Sequence, residues 1–357
     1  MTELTTRQLA VEDTTAANTL LSRLGFGDLL PESVSSVTGR NTNWIGETQS
    51  GISVFVKQLH GRDRTDRLTR ISVIAGLHVE GLRMPEMIGL DFEDSIVAFR
   101  LLPEAKNLLD RVAADEISLE DCASCATLVA ALHNADASDL DKGSHPLPPM
   151  DHFDAIPFDA YSIASGAQLD MWRLFQNDSV LQTSLNALRR CEEVACREAR
   201  PTHGDLRLDQ FTLSRNYMYL MDFEEARLGD PARDVGSFIG EWLHQAVIKI
   251  PEELPRAFDF GHQATHQEVV ETGLNELEKR TPYIREFFET YCAERSRPEG
   301  TDFSTRCAAY AGWHMLDRML AASADAAVLS AGSRAAGGIG RTLLVNPEEF
   351  TSTLGMG

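Results

Sequence analysis

The order of its secondary-structure signals restricts the fold of this 357-residue chain more than any other property. Alternating, β-branched segments crowd the first third, and helical periodicity fills most of the remainder. Thr14–Leu24 carries apolar residues at helical spacing and predicts an N-terminal helix. Val34–Leu59 predicts strand, polar turn and further strand, with clear alternation over Gly51–Leu59. Arg64–Leu77 predicts an amphipathic helix, Ser95–Leu102 a strand stopped by Pro103, and Leu119–His133 a helix. Beyond His203, the runs Gln210–Leu213 and Tyr217–Phe223 flank Ser214-Arg215-Asn216 and predict a hairpin. From Val235 onward the pattern is almost wholly helical. Strands gathered ahead of helices predict an α+β fold of two unequal lobes.

Charge and apolar content narrow the function classes. The formal charge is −21, which argues against nucleic acid or an anionic membrane as main partner and is compatible with cationic substrates. No apolar run approaches the ~18 residues of a membrane span, and Met1–Leu30 has no apolar stretch of signal length. A cytoplasmic protein with reduced thiols is expected. The six cysteines are scattered, and Cys122-x-x-Cys125 sits in a helical pattern without a second pair, so helix packing rather than zinc is its reading.

The chemistry concentrates in Thr202-His203-Gly204-Asp205-Leu206-Arg207-Leu208-Asp209-Gln210-Phe211. Met221-Asp222-Phe223-Glu224 comes at the end of the hairpin, and then Gly229-Asp230-Pro231-Ala232-Arg233-Asp234. Two acids bracketing a tight hairpin are positioned to meet at one site. In phosphoryl transfer one carboxylate can orient the attacking hydroxyl and accept its proton, while the other holds Mg²⁺ against phosphate oxygens. Positioning and charge neutralisation then do most of the catalysis.

This constellation resembles the aminoglycoside phosphotransferase and choline kinase family, which has a protein kinase-like fold. The resemblance implies a bilobal α+β protein, with residues 1–98 as a small β-rich nucleotide-binding lobe and 99–357 as a large helical lobe. It implies Asp205 as catalytic base, His203 as a brace of the loop, Arg207 near the transferred phosphate, Asp222 as main Mg²⁺ ligand, and Asp234 as a stabiliser of the loop. Gly39 and Asn43, in Thr38-Gly39-Arg40-Asn41-Thr42-Asn43-Trp44, stand where the family has a phosphate loop. Lys57 would pair with the ATP α- and β-phosphates, and Ala98–Leu102, with Phe99 and Leu101, would form the adenine-reading hinge. Leu132-His133 matches a frequent family dipeptide and reads as structural.

Two departures from the family pattern stand out. Gln210 replaces the usual Asn as second metal ligand, one methylene longer, with Asp209 beside it. The helix after Lys57 shows Arg70 where the family carries a Glu for the lysine, so either Asp66 pairs with Lys57 or the pair is absent.

Asp110–Asp159 holds eleven acids against Arg111 and Lys142, a field that would draw cationic acceptors or simply face solvent. The runs Gly204–Phe211, Gly229–Gly236 and Gly240–Leu243 look most like kinases of ribosomal peptide biosynthesis, including thioamitide and class V lanthipeptide pathways. That likeness implies phosphorylation of Ser/Thr in a precursor peptide, with phosphate then eliminated by a partner lyase. The alternatives are an aminoglycoside or other small-molecule kinase, and a pseudokinase that binds a peptide or partner without transfer.

Overall fold

A computed structural model describes residues 14–142, 145–195, 199–254, 264–296 and 300–357. In chain order the elements begin with α1 (Thr15–Arg23), β1 (Ser35–Thr38), β2 (Thr42–Glu47), β3 (Ser53–Gln58), α2 (Arg64–Ala75), β4 (Met87–Asp91), β5 (Ile96–Arg100), β6 (Lys106–Asn107) and α3 (Leu108–Ala113). Next come α4 (Leu119–Asn134), α5 (Asp151–Asp154), α6 (Phe158–Ile163), α7 (Gly166–Gln176), α8 (Ser179–Ala195), β7 (Arg200–Thr202), β8 (Phe211–Ser214) and β9 (Tyr217–Leu220). The chain continues with β10 (Arg227–Gly229), α9 (Pro231–Glu253), α10 (His266–Glu294), α11 (Phe303–Ser323) and α12 (Ala331–Val345).

These elements group into two compact units, and the division does not respect chain order. Among the described residues, one comprises those within 1–114, 137–141 and 209–226, and the other those within 115–136, 142–208 and 227–357. The β8–β9 hairpin thus groups with the strand-rich segment.

In the first unit an antiparallel sheet runs in the order β1-β2-β3-β5-β4. The stretch expected as strand, turn and strand resolves into β1, β2 and β3. Alternation along β3 sends Val54 and Val56 to one face, where they pack with Trp44, Ile96, Ala98 and the Ala17-Leu20-Leu21 stripe of α1. Burying each Val, Leu or Ile side chain of this set contributes about 1.5–3 kcal/mol. On the opposite side Leu68 and Ile71 of α2 pack with Leu59 and Val97. Phe55 and Lys57 share the second face of β3. The hairpin joins β8 to β9 through Arg215 and Asn216, both with positive φ (46° and 67°), as a two-residue turn matched to strand twist demands. β6 completes its small sheet.

The second unit is mainly helical, apart from the β7–β10 pair. Here α9 packs closely on α11 because Gly236 and Gly240 face its backbone: a Cβ on Gly236 would stand 2.5 Å from the Cys307 carbonyl oxygen. Cys122 and Cys125 are both buried along α4, in keeping with a helix-packing role. No helix among the described residues is long and apolar enough to cross a membrane.

Candidate active site

In the first unit, only 7% of Lys57 is exposed. Its Nζ donates to Asp222 Oδ1 at 2.5 Å and lies 2.9 Å from Glu224 Oε2. Burial pulls the ammonium's pKa down, but the charges of Asp222 and Glu224 and their hydrogen bonds outweigh it, so the group is held above its ordinary 10.5. Asp222 itself adopts a left-handed conformation, φ 58° and ψ 66°, which costs a non-glycine residue about 1 kcal/mol. That strain sits two residues beyond β9, where the chain turns out of the hairpin.

Gln210, also buried, directly precedes β8 of that hairpin. Its Nε2 donates to Asp209 Oδ1 at 3.2 Å, and its backbone carbonyl accepts from Met221 N at 2.9 Å. The side-chain oxygen is left to act as an acceptor. One carboxylate and one amide oxygen make a hard-oxygen pair, suited to a Mg²⁺ that completes its shell with substrate phosphates and water. Among the described residues no cluster of three or more His, Cys, Asp or Glu is set for a metal.

Lys57, Asp222 and Gln210 line a cavity of about 580 Å³, a volume typical of small-molecule sites. Phe99 and Leu101 line it as well, with Ile45, Phe55 and Ile71. Gly39 and Asn43 are not among its lining residues. Gly39 is exposed, avoids positive φ and has open space where a Cβ would stand, so its backbone does not need glycine. Asn43 lies in β2 opposite Lys57 in register, and its carbonyl accepts from Ser36 Oγ. Of the two outcomes expected for the lysine's helix partner, the second occurs: α2 supplies no acid to Lys57. Asp66 is exposed, and Lys57 is paired with acids from the segment after β9. The register of α2 explains this: Arg67 falls on the buried stripe with Ile71 and Ile74, and Asp66 faces solvent.

In the second unit, β7 leads into His203-Gly204-Asp205. Gly204 sits at φ 84°, where a side chain would be strained. His203 N and Gly204 N donate to the two carboxylate oxygens of Asp234, at 2.6 and 2.9 Å. Asp234 lies in the first turn of α9, which is capped by Asp230 accepting from Ala232 N at 3.0 Å, with Pro231 at its first position. The Asp234 side chain is fully buried, 3.0 Å from His133 Nε2, and His133 Nδ1 is 2.8 Å from the Tyr291 hydroxyl. Burial pushes the Asp234 pKa up, but the His133 hydrogen bond and charge, and then His203, hold it below the usual carboxylate range. Asp205 N donates to His203 Nδ1 at 3.4 Å. The Asp205 carboxylate is 45% exposed, with Arg207 Nη2 3.7 Å away. Backbone bonds therefore aim Asp205, while its own oxygens stay accessible.

The sequence pattern describing a phosphotransferase enzyme family matches residues 40–268. The chain belongs to that family. Three solved structures share the kinase-like α+β fold of this phosphotransferase. An amicoumacin kinase solved with AMP-PNP and Ca²⁺ is 11% identical, covering 89% of this chain and 90% of that one at a TM-score of 0.55. A putative fructosamine-3-kinase from Thermobifida fusca is 14% identical, covering 92% and 99% at 0.51. A choline kinase from Streptococcus pneumoniae is 15% identical, covering 91% and 96% at 0.50. No curated protein matches by sequence.

Two residues of the phosphotransferase escaped the motif reading: Glu224 and Arg67. Helical spacing does carry a signal for Arg67, which occupies the i position of an i, i+4, i+7 apolar stripe. Glu224 has only its place two residues after Asp222.

Proposed function

We propose that the protein transfers the γ-phosphoryl group of ATP to an alcohol. The observation that carries this reading is the cavity itself: a mainly apolar wall suited to a purine, with Lys57, Asp222 and Gln210 as polar groups suited to phosphates and a divalent cation. Mg²⁺ held by Asp222 and Gln210 would neutralise phosphate charge. Asp205 orients the acceptor hydroxyl and takes its proton. The alcohol oxygen bonds to the γ-phosphorus, the bond from that phosphorus to the bridging oxygen breaks, and ADP leaves. His203 braces the loop, and Arg207 serves the transferred phosphate.

The acceptor we favour is a Ser or Thr side chain of a ribosomally made precursor peptide, whose phosphate a partner lyase then eliminates. Two things support it: the resemblance of the Gly204–Phe211 and Gly229–Gly236 runs to peptide kinases, and the surface of α6. Phe158 and Ile163 are each 84% exposed there, with Tyr161 at 55%, and Asp151, Asp154 and Asp159 are exposed nearby in sequence. An apolar surface with acids suits a peptide carrying apolar and basic side chains. A small cationic alcohol is the second reading, favoured by the small-molecule kinases that share the fold.

Incubation with Mg·ATP and candidate peptides, read by mass spectrometry, tests the choice. A gain of ~80 Da, one phosphoryl group, on a peptide and its loss in Asp205→Asn supports the first reading. ADP release stimulated by small amino alcohols but not peptides supports the second. Mg·ATP binding without transfer to any acceptor would make the protein a binding subunit.

A further inference from the structure

We propose that Glu224 is the carboxylate that positions Lys57 for the nucleotide, and that Arg67 and Asn41 hold Glu224 in place. The inference rests on the nucleotide-binding reading of the cavity and adds a positioning residue to it.

Lys57 touches two carboxylates that are held in different ways. The Asp222 side chain is 36% exposed; that of Glu224 is 13% exposed. Asn41 Nδ2 donates to Glu224 Oε2 at 3.1 Å, and Arg67 Nη2 lies 3.6 Å from the same oxygen. Arg67 Nη2 also donates to Asn41 Oδ1 at 2.6 Å, so one amide ties the guanidinium to the carboxylate. Arg67 has no exposed surface, and a cation at that depth is tolerated only beside a counter-charge. Asp63 stands 3.8 Å from its Nη1 but is 45% exposed, which leaves Glu224 as the buried acid beside it.

The order of charges is a consequence of the sequence. The inward stripe of α2 presents Arg67, a cation, towards Lys57. Two cations cannot be buried together without an acid between them, and the segment after β9 supplies one. Arg70 Nη1 donates to the Glu224 carbonyl at 3.4 Å and fixes the backbone as well. A metal ion taken up by Asp222 would compete with Lys57 for that carboxylate's negative charge. Glu224, braced from two sides, is the partner that stays with Lys57 when Asp222 changes partner.

Calorimetry of Mg·ATP binding to the full chain, without acceptor, tests this. Glu224→Gln keeps the shape and removes the charge, and about tenfold weaker binding is expected. Lys57→Met weakens binding at least as much. In the Lys57→Met background Glu224→Gln should add nothing, because it acts through that lysine. Arg67→Met should match Glu224→Gln in direction with a smaller loss, and Glu224→Asp should recover part of the affinity. Wild-type affinity in Glu224→Gln, or losses that multiply in the double variant, would overturn the proposal. A melting cycle on the ligand-free variants gives a second readout: coupling between positions 57 and 224 supports the pair, and additive shifts reject it. A wild type that binds no Mg·ATP sinks the nucleotide reading instead, and the melting cycle then decides the pair alone.

Discussion

Lys57 and Asp205 are held by opposite means. Lys57 is buried and gripped directly by two carboxylates, one of them braced by Asn41 and Arg67. Asp205 keeps an exposed carboxylate, and the bonds that aim it run through backbone amides to Asp234, His133 and Tyr291. On the proposed function, the contrast separates two tasks. A group that holds phosphate charge needs its own charge fixed before the ligand arrives. A group that accepts a proton needs accessible oxygens, so its rigidity has to come from the chain on which it sits.

Four measurements press on that contrast. The largest effect is expected from Asp205→Asn: turnover falls about 10²–10⁴-fold, while the melting temperature stays near that of wild type because no buried bond is lost. A large drop in melting temperature would show that the side chain, too, is structural. Asp234→Ala should invert the pattern. It strips an acceptor from His203 N, Gly204 N and His133 in a fully buried place, at a cost of about 3–5 kcal/mol. Chemical denaturation measures it, and a cost under about 1 kcal/mol, the size of one ordinary hydrogen bond, would dismiss the brace.

The pH dependence separates the two sides. Asp234 and Glu241 both have lowered folded pKa values; Glu241 is down to about 2 from 4.5, since burial's upward push is outweighed by His314, 2.8 Å away. Their stabilisation is present above the unfolded carboxylate values and fades as pH falls, for Glu241 between 4.5 and about 2, by up to about 3 kcal/mol. Lys57 is raised above 10.5, so its contribution is complete below that value and fades as pH climbs through the folded pKa. Denaturation curves for Glu241→Gln should have a shallower acid limb, with the share of Asp234 remaining, and those for Lys57→Met should lose the share of Lys57 in the alkaline limb. The smallest effect is expected from Gly236→Ala. The methyl would meet Cys307 O and Tyr310 Cβ, each at 2.5 Å, and overpacking of about 1–3 kcal/mol exceeds the gain in helix propensity. Because α9 carries Asp234, activity should fall modestly with stability. Full stability would mean that α9 and α11 can part without loss.

Much of the fold was legible in local pattern. α1, α2 and α4 lie within a residue or two of their predicted spans, and the hairpin forms where its loop signal puts it. Alternation along Gly51–Leu59 placed Lys57 on a strand, and the cavity wall includes Phe99, Leu101, Asp222 and Gln210. Gly39 and Asn43 are not among the lining residues of the cavity, and Gly39 avoids positive φ.

Periodicity and motif order are properties of neighbours along the chain, so the sequence by itself determined which segments are strand or helix and which acids head the hairpin. It could not name the partner of Lys57. Asp66 and Glu224 are both acids at plausible places, and the choice depends on which face of α2 turns inward and on a residue far along the chain reaching the lysine. Burying one cation beside another set that choice, because charge at low dielectric must be balanced in three dimensions wherever the counter-charge lies in the sequence.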